Sequence, residues 1–422
     1  MNQTELAKYK DKIDHCTRCG LCQAVCPVFD AAKSEIAVAR GKLALMHGVL
    51  SGRLEFSPLV SKYIELCAGC SACQEFCPSG VSTDEIFLAA KEFIADKYGL
   101  SLPKKAIVKA FSSDKTLNFF SILLNLYSSS RAGFLAEMTP DSVPFISKLK
   151  LLNSQLNGKV KLKIDKINIK NSKPIFKIIY FPGCINKYVN PSVANAVVEL
   201  LKSSNCDLIT FDKLLCCGMP AKNAGALNVS RQLAKHNIEL FTSENFSNFD
   251  FILVDCASCG SMLKSYVDLF SDNTEIKDKS LLIRDKIIDI NELLLKLDIE
   301  YPVSKKDITV TYHDPCHLRR SQNIYKEPRA LLLNIKGINF VEMQNSDTCC
   351  GAAGSFCITH SDISTKISTK KADNIILTGA EIVLTSCPSC KIGLTQGLLA
   401  RNKKLNIYHP VELLHKLNFK NT

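Results

Sequence analysis

The sequence predicts an α+β multidomain protein in which a mainly helical N-terminal domain precedes two duplicated α/β domains. In the first hundred residues, cysteine-rich runs alternate with helix patterns. In the second half, each motif cysteine of one repeat reappears 131 to 133 residues later, and strand patterns alternate with helix patterns. We place the domains at residues 1–100, 173–303 and 304–422, with a connector at 101–172.

The composition indicates a soluble globular protein in a reducing compartment. The chain has 422 residues, of which 46% are hydrophobic and 22% are charged. Its start, MNQTELAKYKDKIDHC, has no apolar signal segment, and no run of 18 apolar residues predicts a spanning helix. Twenty cysteines in such a chain are better explained by thiolates bound to metal than by disulfides. We therefore predict a cytoplasmic protein.

The connector is unusually basic and partly apolar. Residues 101–172 hold 12 Lys/Arg against 4 Asp/Glu, and the stretch Phe119–Tyr127 is strongly apolar. The basic charge is explained either by attraction to an anionic membrane surface, such as the cytoplasmic face of the inner membrane, or by a solvated linker face. The apolar stretch either docks on a membrane or a partner subunit, or is buried in a core. Val160–Ile169 alternates lysine with aliphatic residues, as a strand edge does. No nucleic-acid-binding module is recognisable, so we expect no nucleic acid partner.

Helices are predicted around the N-terminal cysteines. Residues 34–50 carry apolar side chains at helical spacing, at Ile36, Leu43, Met46 and Leu50. After the second run, Ser82 and Glu85 form a capping-box pattern that opens a helix over residues 86–98.

The two repeats share local structure as well as cysteines. An apolar strand (residues 177–181 and 308–312) leads into Pro-Gly-Cys or Asp-Pro-Cys, and Asn190-Pro191 starts the following helix in the first repeat. A second strand (residues 251–254 and 381–385) leads into each Cys-x-x-Cys. Such units form parallel sheets, so the cysteines should lie at strand ends, where α/β sheets bind ligands.

The N-terminal cysteines form two runs of the pattern C-x2-C-x2-C-x3-C-P, typical of a ferredoxin-like domain with two [4Fe–4S] clusters. In each tight loop three thiolates hold one cluster, and the fourth cysteine ligates the other. Zinc usually takes separated Cys-x-x-Cys pairs and fits this spacing less well. The predicted ligands of one cluster are Cys16, Cys19, Cys22 and Cys77. Those of the second are Cys67, Cys70, Cys73 and Cys26.

The duplicated Cys-Cys-Gly pattern resembles the cysteine-rich CCG domain family, which includes the CCG-containing chain of heterodisulfide reductase and iron–sulfur subunits of flavin-linked dehydrogenases. The resemblance implies that each five-cysteine set holds a further cluster, in its most complete form a non-cubane [4Fe–4S] cluster. One or two such clusters are expected. The open alternative is that one or both sets are structural or hold something simpler, since some relatives of this architecture have lost cysteines from a set. The first set is Cys184, Cys216, Cys217, Cys256 and Cys259. The second is Cys316, Cys349, Cys350, Cys387 and Cys390.

Over nearly the whole chain, the layout is similar to that of glycolate oxidase iron–sulfur subunits. CTRCGLCQAVCPVF, CAGCSACQEFCPSGV, HDPCHLRRSQ and TCCGAAGSF carry the resemblance. It implies an electron-transfer subunit of a glycolate or D-lactate dehydrogenase, which passes electrons from an FAD-binding partner subunit towards a quinone. The chain itself has no recognisable flavin or nicotinamide motif.

Alternatives stay open at this point. The same layout serves the iron–sulfur subunit of anaerobic glycerol-3-phosphate dehydrogenase, and a CCG cluster could itself reduce a disulfide as in heterodisulfide reductase. A non-redox scaffold would not need so many clusters. No catalytic residue is assigned. His313 and His317 flank Cys316 as cluster-tuning or structural histidines, and Cys206 and Cys357 are predicted to be small buried hydrophobes.

Overall fold

The fold is described from a computed structural model, over residues 3–119, 122, 167–243, 246–270, 274–297 and 299–419. The chain is a mixed helix and sheet protein: a helical N-terminal part precedes two sheets that are covered by helices. Within these ranges, no helix is both long and apolar enough to cross a bilayer.

Short helices and loops build the N-terminal part around the eight cysteines of the two runs. Its core is apolar and includes Leu43, Met46 and Ile64 together with one face of the longest helix. The helices are Gln3–Ala7, Lys10–Asp14, Leu21–Val25, Pro27–Ala32, Ala39–Leu50, Pro58–Glu65, Ala72–Glu75, Thr83–Tyr98 and Leu102–Phe111.

Two sequence predictions for this part need correction. The helix pattern over residues 34–50 is interrupted: a 3₁₀ turn at Glu35–Ala37 precedes the helix Ala39–Leu50, with the break at Val38 in an extended conformation. The Ser82 and Glu85 capping box does not form, although the helix starts at Thr83, close to the expected place. The Glu85 carboxylate instead accepts hydrogen bonds from Lys12 Nζ at 2.6 and 2.7 Å. A tertiary ion pair thus replaces the local cap.

The first sheet has the strand order β1-β3-β2-β4-β5, and all its pairs are parallel except β1 with β3. Its strands are Asn168–Ile169 (β1), Lys177–Phe181 (β2), Asp207–Ile209 (β3), Phe251–Val254 (β4) and Ile287–Asp289 (β5). The helices are Gly183–Tyr188, Pro191–Lys202, Met219–Ala224, Leu227–Phe241, Ala257–Lys264, Thr274–Arg284 and Ile290–Lys296. As predicted, Asn190 precedes the helix that Pro191 begins.

The second sheet has the order β7-β6-β8-β9 and is wholly parallel. Its strands are Val303–Tyr312 (β6), Lys336–Phe340 (β7), Ile382–Leu384 (β8) and Asn406–Tyr408 (β9). The helices are Cys316–Gln322, Lys326–Leu333, Phe356–Thr359, Ser361–Leu377, Pro388–Ala400 and Pro410–Phe419. β2 and β4 of the first sheet correspond to β6 and β8 of the second, so the predicted parallel α/β repeat is confirmed.

The two α/β units share one apolar core. Ile178 and Tyr180 of β2 belong to the same buried cluster as Val310 and Tyr312 of β6. Most of the connector stretches Phe119–Tyr127 and 160–169, for which the sequence predicts a docking or core patch and a strand edge, lies outside the described residues. Within the second stretch, Asn168–Ile169 forms a strand.

A buried ion pair braces the second unit beside its cysteines. The Arg329 guanidinium donates to both carboxylate oxygens of Asp314 at 2.8 Å and also binds Glu342. Asp314 is 1% exposed, and its backbone N–H donates to Ser346 O in the loop that leads to Cys349. Burial favours the neutral acid, but Arg329 outweighs burial and lowers the pKa of Asp314.

We expect Arg329→Met to destabilise the protein by about 3–5 kcal/mol, because it leaves Asp314 buried and unpaired. The matched control is Arg401→Met. This substitution removes an exposed bidentate pair with Asp373 and should cost less than about 1 kcal/mol. Chemical denaturation at neutral pH measures both differences.

The folded pKa of Asp314 is lowered, so the stabilisation that the ionised Asp314 gives the fold is lost as pH falls below about 4. The effect of Arg329→Met should therefore shrink there. Equal losses for the two variants would contradict the prediction.

Candidate iron–sulfur centre

The first group of thiols contains the first three cysteines of one run and the last cysteine of the other. Cys16, Cys19, Cys22 and Cys77 line one cavity, which Cys73 also reaches. Cys19 is exposed, whereas the other three are partly buried. Burial raises the pKa of Cys22, so this thiol releases its proton less readily than a free cysteine. We call these four residues the first ferredoxin site.

The second group brings Cys26 to the remaining three cysteines. The pKa of Cys26 is raised to about 11, first by burial and also by the nearby Cys70 and Cys67 thiols, against a hydrogen bond that Phe29 N–H donates to Cys26 Sγ at 3.4 Å. Burial and then Cys67, Cys70 and Cys26 likewise raise the pKa of Cys73. We call Cys67, Cys70, Cys73 and Cys26 the second ferredoxin site.

All five cysteines of the first repeat converge at the ends of β2 and β4, and we call them the first CCG site. Cys184 Sγ lies 3.7 Å from Cys216 Sγ. The pKa of Cys184 is raised well above its ordinary value, first by the Cys216 thiol and then by burial, with smaller effects of Cys217 and Cys256. The Cys217 thiol likewise contacts Cys216 and Cys259.

The five cysteines of the second repeat form an equivalent group, the second CCG site. Cys316 contacts Cys349, which is the first cause of its raised pKa, and lies near Cys350. The thiol of Cys350 contacts Cys349 and Cys390, and Cys390 also contacts Cys387. Cys316 follows β6, and Cys387 and Cys390 follow β8, as the register of the repeats predicts, whereas Cys349 and Cys350 lie in the segment after β7.

The glycine of each Cys-Cys-Gly motif is required by its backbone. Gly218 and Gly351 have φ of +92° and +85°. A Cβ would lie 3.0 Å from Ser230 Oγ at Gly218, and 2.7 Å from the Ser364 carbonyl oxygen at Gly351. The turn directs backbone N–H groups at sulfur, since Gly351 N–H donates to Cys349 Sγ at 3.4 Å. The motif is therefore a fixed turn that offers thiols and N–H donors to one centre.

The donor chemistry of all four sites fits iron–sulfur clusters. None of the cysteines, all of which lie in the described ranges, forms a disulfide. In both CCG sites a thiol with a lowered pKa contacts a thiol with a raised pKa, as Cys216 does with Cys184 and Cys350 does with Cys390. Buried thiols packed so closely cannot all ionise unless a cation compensates their charge, and bound iron supplies that charge.

The sites follow one another without a gap. The thiols of Cys70 in the second ferredoxin site and Cys349 in the second CCG site contact each other, and Cys349 is the first cause of the raised pKa of Cys70. Cys387 of the second CCG site contacts Cys256 of the first, and this contact is the first cause of the lowered pKa of Cys387. Ser258 Oγ, between the two CCG sites, lies 3.4 Å from Cys387 Sγ and 2.9 Å from His317 Nδ1.

The two cysteines outside the motifs differ from each other. Cys206 is 0% exposed in the shared core, as predicted for a small hydrophobe. The same prediction is wrong for Cys357, which is only partly buried because it lies at the surface end of a short helix, where its thiol donates to Gly354 O at 3.3 Å.

Sequence reasoning missed several buried polar groups around the sites. Tyr180 donates to Asp255 Oδ2 at 2.6 Å beside Cys256, and burial raises the pKa of Asp255 to about 7. At the equivalent place in the second repeat, Tyr312 lies 3.1 Å from Ser386 Oγ. Lys371, 2% exposed, reaches two backbone carbonyls in the loop before Cys349. The offset between the repeats could have paired Tyr180 with Tyr312, but no local signal separates these residues from ordinary core.

Comparison with known proteins finds two kinds of domain in the chain. Residues 12–81 match the 4Fe-4S dicluster domain, and residues 178–264 and 310–395 each match the cysteine-rich CCG domain. The dicluster match and the clustered cysteines of both CCG domains identify multiple [4Fe–4S] clusters as the cofactors of this chain.

Three relatives are similar to this chain over most of their own length. The chain is 28% identical over 433 residues to the probable glycolate oxidase iron-sulfur subunit of Bacillus subtilis, covering 96% of this chain and 95% of the relative. It is 22% identical to the glycolate oxidase iron-sulfur subunit of Escherichia coli, with 95% and 93% covered. Lactate utilization protein A of Bacillus subtilis is 28% identical over 57% of this chain and 99% of its own. This chain is therefore an iron–sulfur protein that joins a 4Fe-4S dicluster domain to two cysteine-rich CCG domains, and it is similar over nearly its whole length to glycolate oxidase iron–sulfur subunits.

Proposed function

We propose that this chain is the electron-transfer subunit of a flavin-dependent 2-hydroxy-acid dehydrogenase that oxidises glycolate or D-lactate. The unbroken series of four thiol sites carries the proposal. Its first step is the cavity of the first ferredoxin site, which Cys73 of the second ferredoxin site also lines. The other two steps are the contact of Cys70 with Cys349 and the contact of Cys387 with Cys256. Groups that exchange electrons over short distances must lie close together, whereas clusters that only hold a fold need no such order.

The proposal assigns eighteen cysteines as cluster ligands. The first ferredoxin site holds one cubane through Cys16, Cys19, Cys22 and Cys77, and the second holds another through Cys67, Cys70, Cys73 and Cys26. The two CCG sites hold two further clusters, of the non-cubane form. Bound clusters of this kind accept and release single electrons.

The exposure of the sites supports a direction of electron transfer from the surface to the interior. The first ferredoxin site is the accessible end, because Cys19 is exposed and Arg18 and Arg40 lie beside it. Arg40 donates to the Arg18 carbonyl at 3.3 Å, which ties the loop that carries Cys19 to the helix Ala39–Leu50. The first CCG site lies at the other end, where its cysteines are buried except for the partly exposed Cys184.

The partners follow from the chemistry. A hydroxy acid gives up two electrons together, so an FAD-binding subunit must oxidise it and divide the pair into single electrons. The relatives named for glycolate oxidase and lactate utilization support a 2-hydroxy acid as the substrate of that partner. The proposed acceptor is a quinone. The proposed location is the cytoplasm, with peripheral contact to the inner membrane.

The test combines the anaerobically purified, cluster-loaded chain with the FAD-binding protein that co-purifies with it. We expect the chain alone to oxidise neither glycolate nor D-lactate, and to be reduced by either acid once the flavoprotein is added. Absorbance bleaching of the clusters measures the reduction. Turnover by the chain alone would overturn the proposal. Reduction only by glycerol-3-phosphate, or disulfide-dependent oxidation of the reduced chain, would replace the proposed substrate class.

A further inference from the structure

The two CCG sites differ at one pair of equivalent positions in the two repeats. Three residues before Cys184, at the end of β2, stands Phe181. Three residues before Cys316, directly after β6, stands His313. Both side chains are about 1% exposed. One repeat thus places an apolar ring, and the other an imidazole, at the same place beside its cysteines.

The His313 ring has no hydrogen-bond partner within the described part of the chain, although both ring nitrogens are fully buried. One ring nitrogen and the Sγ atoms of Cys350 and Cys390 all lie within 4.8 Å of one another. A neutral imidazole has one N–H donor and one lone pair. Leaving such buried groups unpaired costs about 1–3 kcal/mol each, so the arrangement requires a ligand in the second CCG site.

The two repeats also differ in the charge beside this position, where Lys371 lies near the His313 ring. Ser230 and Ser364 occupy matched positions, since each hydroxyl donates to the carbonyl of its CCG glycine. Seven residues further on, the first repeat has the neutral Asn237 where the second has Lys371.

The other buried histidines at this site are already held by the chain. His317 Nδ1 lies 2.9 Å from Ser258 Oγ. His409 Nδ1 accepts a hydrogen bond from Val411 N–H at 3.2 Å, in the manner of a helix N-cap. Each of these rings has one bonded nitrogen, and His409 Nε2 has no partner among the described residues. The His313 ring has neither nitrogen bonded there, and one of them lies within 4.8 Å of the Cys350 and Cys390 Sγ atoms.

We propose that His313 is a nitrogen ligand to iron in the second CCG site, so that this site has a mixed cysteine and histidine donor set that the first CCG site lacks. The inference rests on the proposed function in one respect, the assignment of Cys350 and Cys390 as cluster ligands. Exchange of thiolate for neutral imidazole raises the reduction potential of iron–sulfur centres. The second CCG site is then the more easily reduced of the two, and it is the one that contacts the second ferredoxin site.

Pulsed electron paramagnetic resonance on the complete, cluster-loaded chain tests the proposal. Protein labelled with ¹⁵N-histidine should show a strongly coupled nitrogen that changes with the isotope. His313→Phe, which restores the residue of the first repeat, should lose that coupling while keeping its iron. His409→Asn, in which asparagine can still cap the helix, is the matched control and should keep the coupling.

A double variant provides a second test in case His313→Phe does not fold. The double variant His317→Asn, His409→Asn retains His313 as the one buried histidine near Cys387 and should show the coupled nitrogen unchanged. Absence of any strongly coupled histidine nitrogen in the loaded protein, or its persistence in iron-replete His313→Phe, would overturn the proposal. Neither readout needs the flavoprotein, so failure of the dehydrogenase assay would leave the nitrogen coupling as an independent result.

Discussion

Replacement of Cys77 by serine is expected to abolish the same cluster signal as replacement of Cys22, although the two cysteines belong to different runs. Cys22 and Cys77 line one cavity with Cys16 and Cys19. A ligand-deficient cube loses its iron readily, so each variant should lose about 4 iron atoms from the roughly 12–16 that we expect per chain. Iron analysis and the electron paramagnetic resonance spectrum of the dithionite-reduced protein measure the loss.

The paired variants make this test specific. Cys26→Ser and Cys67→Ser should both remove the other cubane signal, because Cys26 lies beside Cys70 and Cys67, whose thiols add to the effect of burial in raising its pKa. Cys357→Ser, at a half-buried cysteine outside all four sites, is the control and should keep the full iron content. If Cys77→Ser instead removed the signal that Cys67→Ser removes, each run would hold its own cluster and the crossed assignment would be wrong.

The sequence predicts the parts of this molecule that depend on local pattern. β2 is apolar over most of its five residues, and the motif Pro-Gly-Cys at its end has the same role as Asp-Pro-Cys after β6. The offset between the repeats is nearly constant, so strands, helices and both sets of five cysteines could be placed from the sequence alone. Local pattern suffices because each repeat is an α/β unit whose ligands follow its own strands.

Contacts between distant segments could not be predicted in this way. Cys70 and Cys349 lie far apart in the sequence, and only the packing of the N-terminal helices on the second α/β unit brings them together. Glu85 has the spacing of a capping residue but binds Lys12, since a tertiary partner competes with the local one. For His313 the sequence leaves a cluster-tuning role and a structural role equally open. A structural histidine would be hydrogen-bonded, and the His313 ring has no partner among the described residues, which favours a role at the cluster.

A buried arginine lies in the packing that joins the N-terminal part to the second α/β unit. Arg320 has a side chain that is 5% exposed. It donates to Glu75 Oε2 at 2.7 Å, and on the other side to Asp347 O and Asp347 Oδ2 at 2.8 and 2.9 Å. Burial alone would lower the pKa of Arg320, but Cys70, Asp347 and Glu75 raise it. Arg320 therefore holds Cys70 and the loop before Cys349 together, and it supplies positive charge beside both.

We expect Arg320→Met to separate the two halves of the relay without emptying any site. The variant should keep its iron and lose about 2 kcal/mol of stability, a modest loss because Glu75 and Asp347 can still be hydrated. After rapid mixing with the flavoprotein and its hydroxy acid, the ferredoxin-site signals should appear at the normal rate and the CCG signals much more slowly.

The control is Lys370→Met, which removes an exposed ion pair with Asp30 across the same interface and should change neither rate. Arg320→Lys keeps the charge but cannot bridge both partners with a planar fork, so it should also slow the second phase. Undiminished reduction of the CCG sites in iron-replete Arg320→Met would show that electrons do not pass from Cys70 to Cys349.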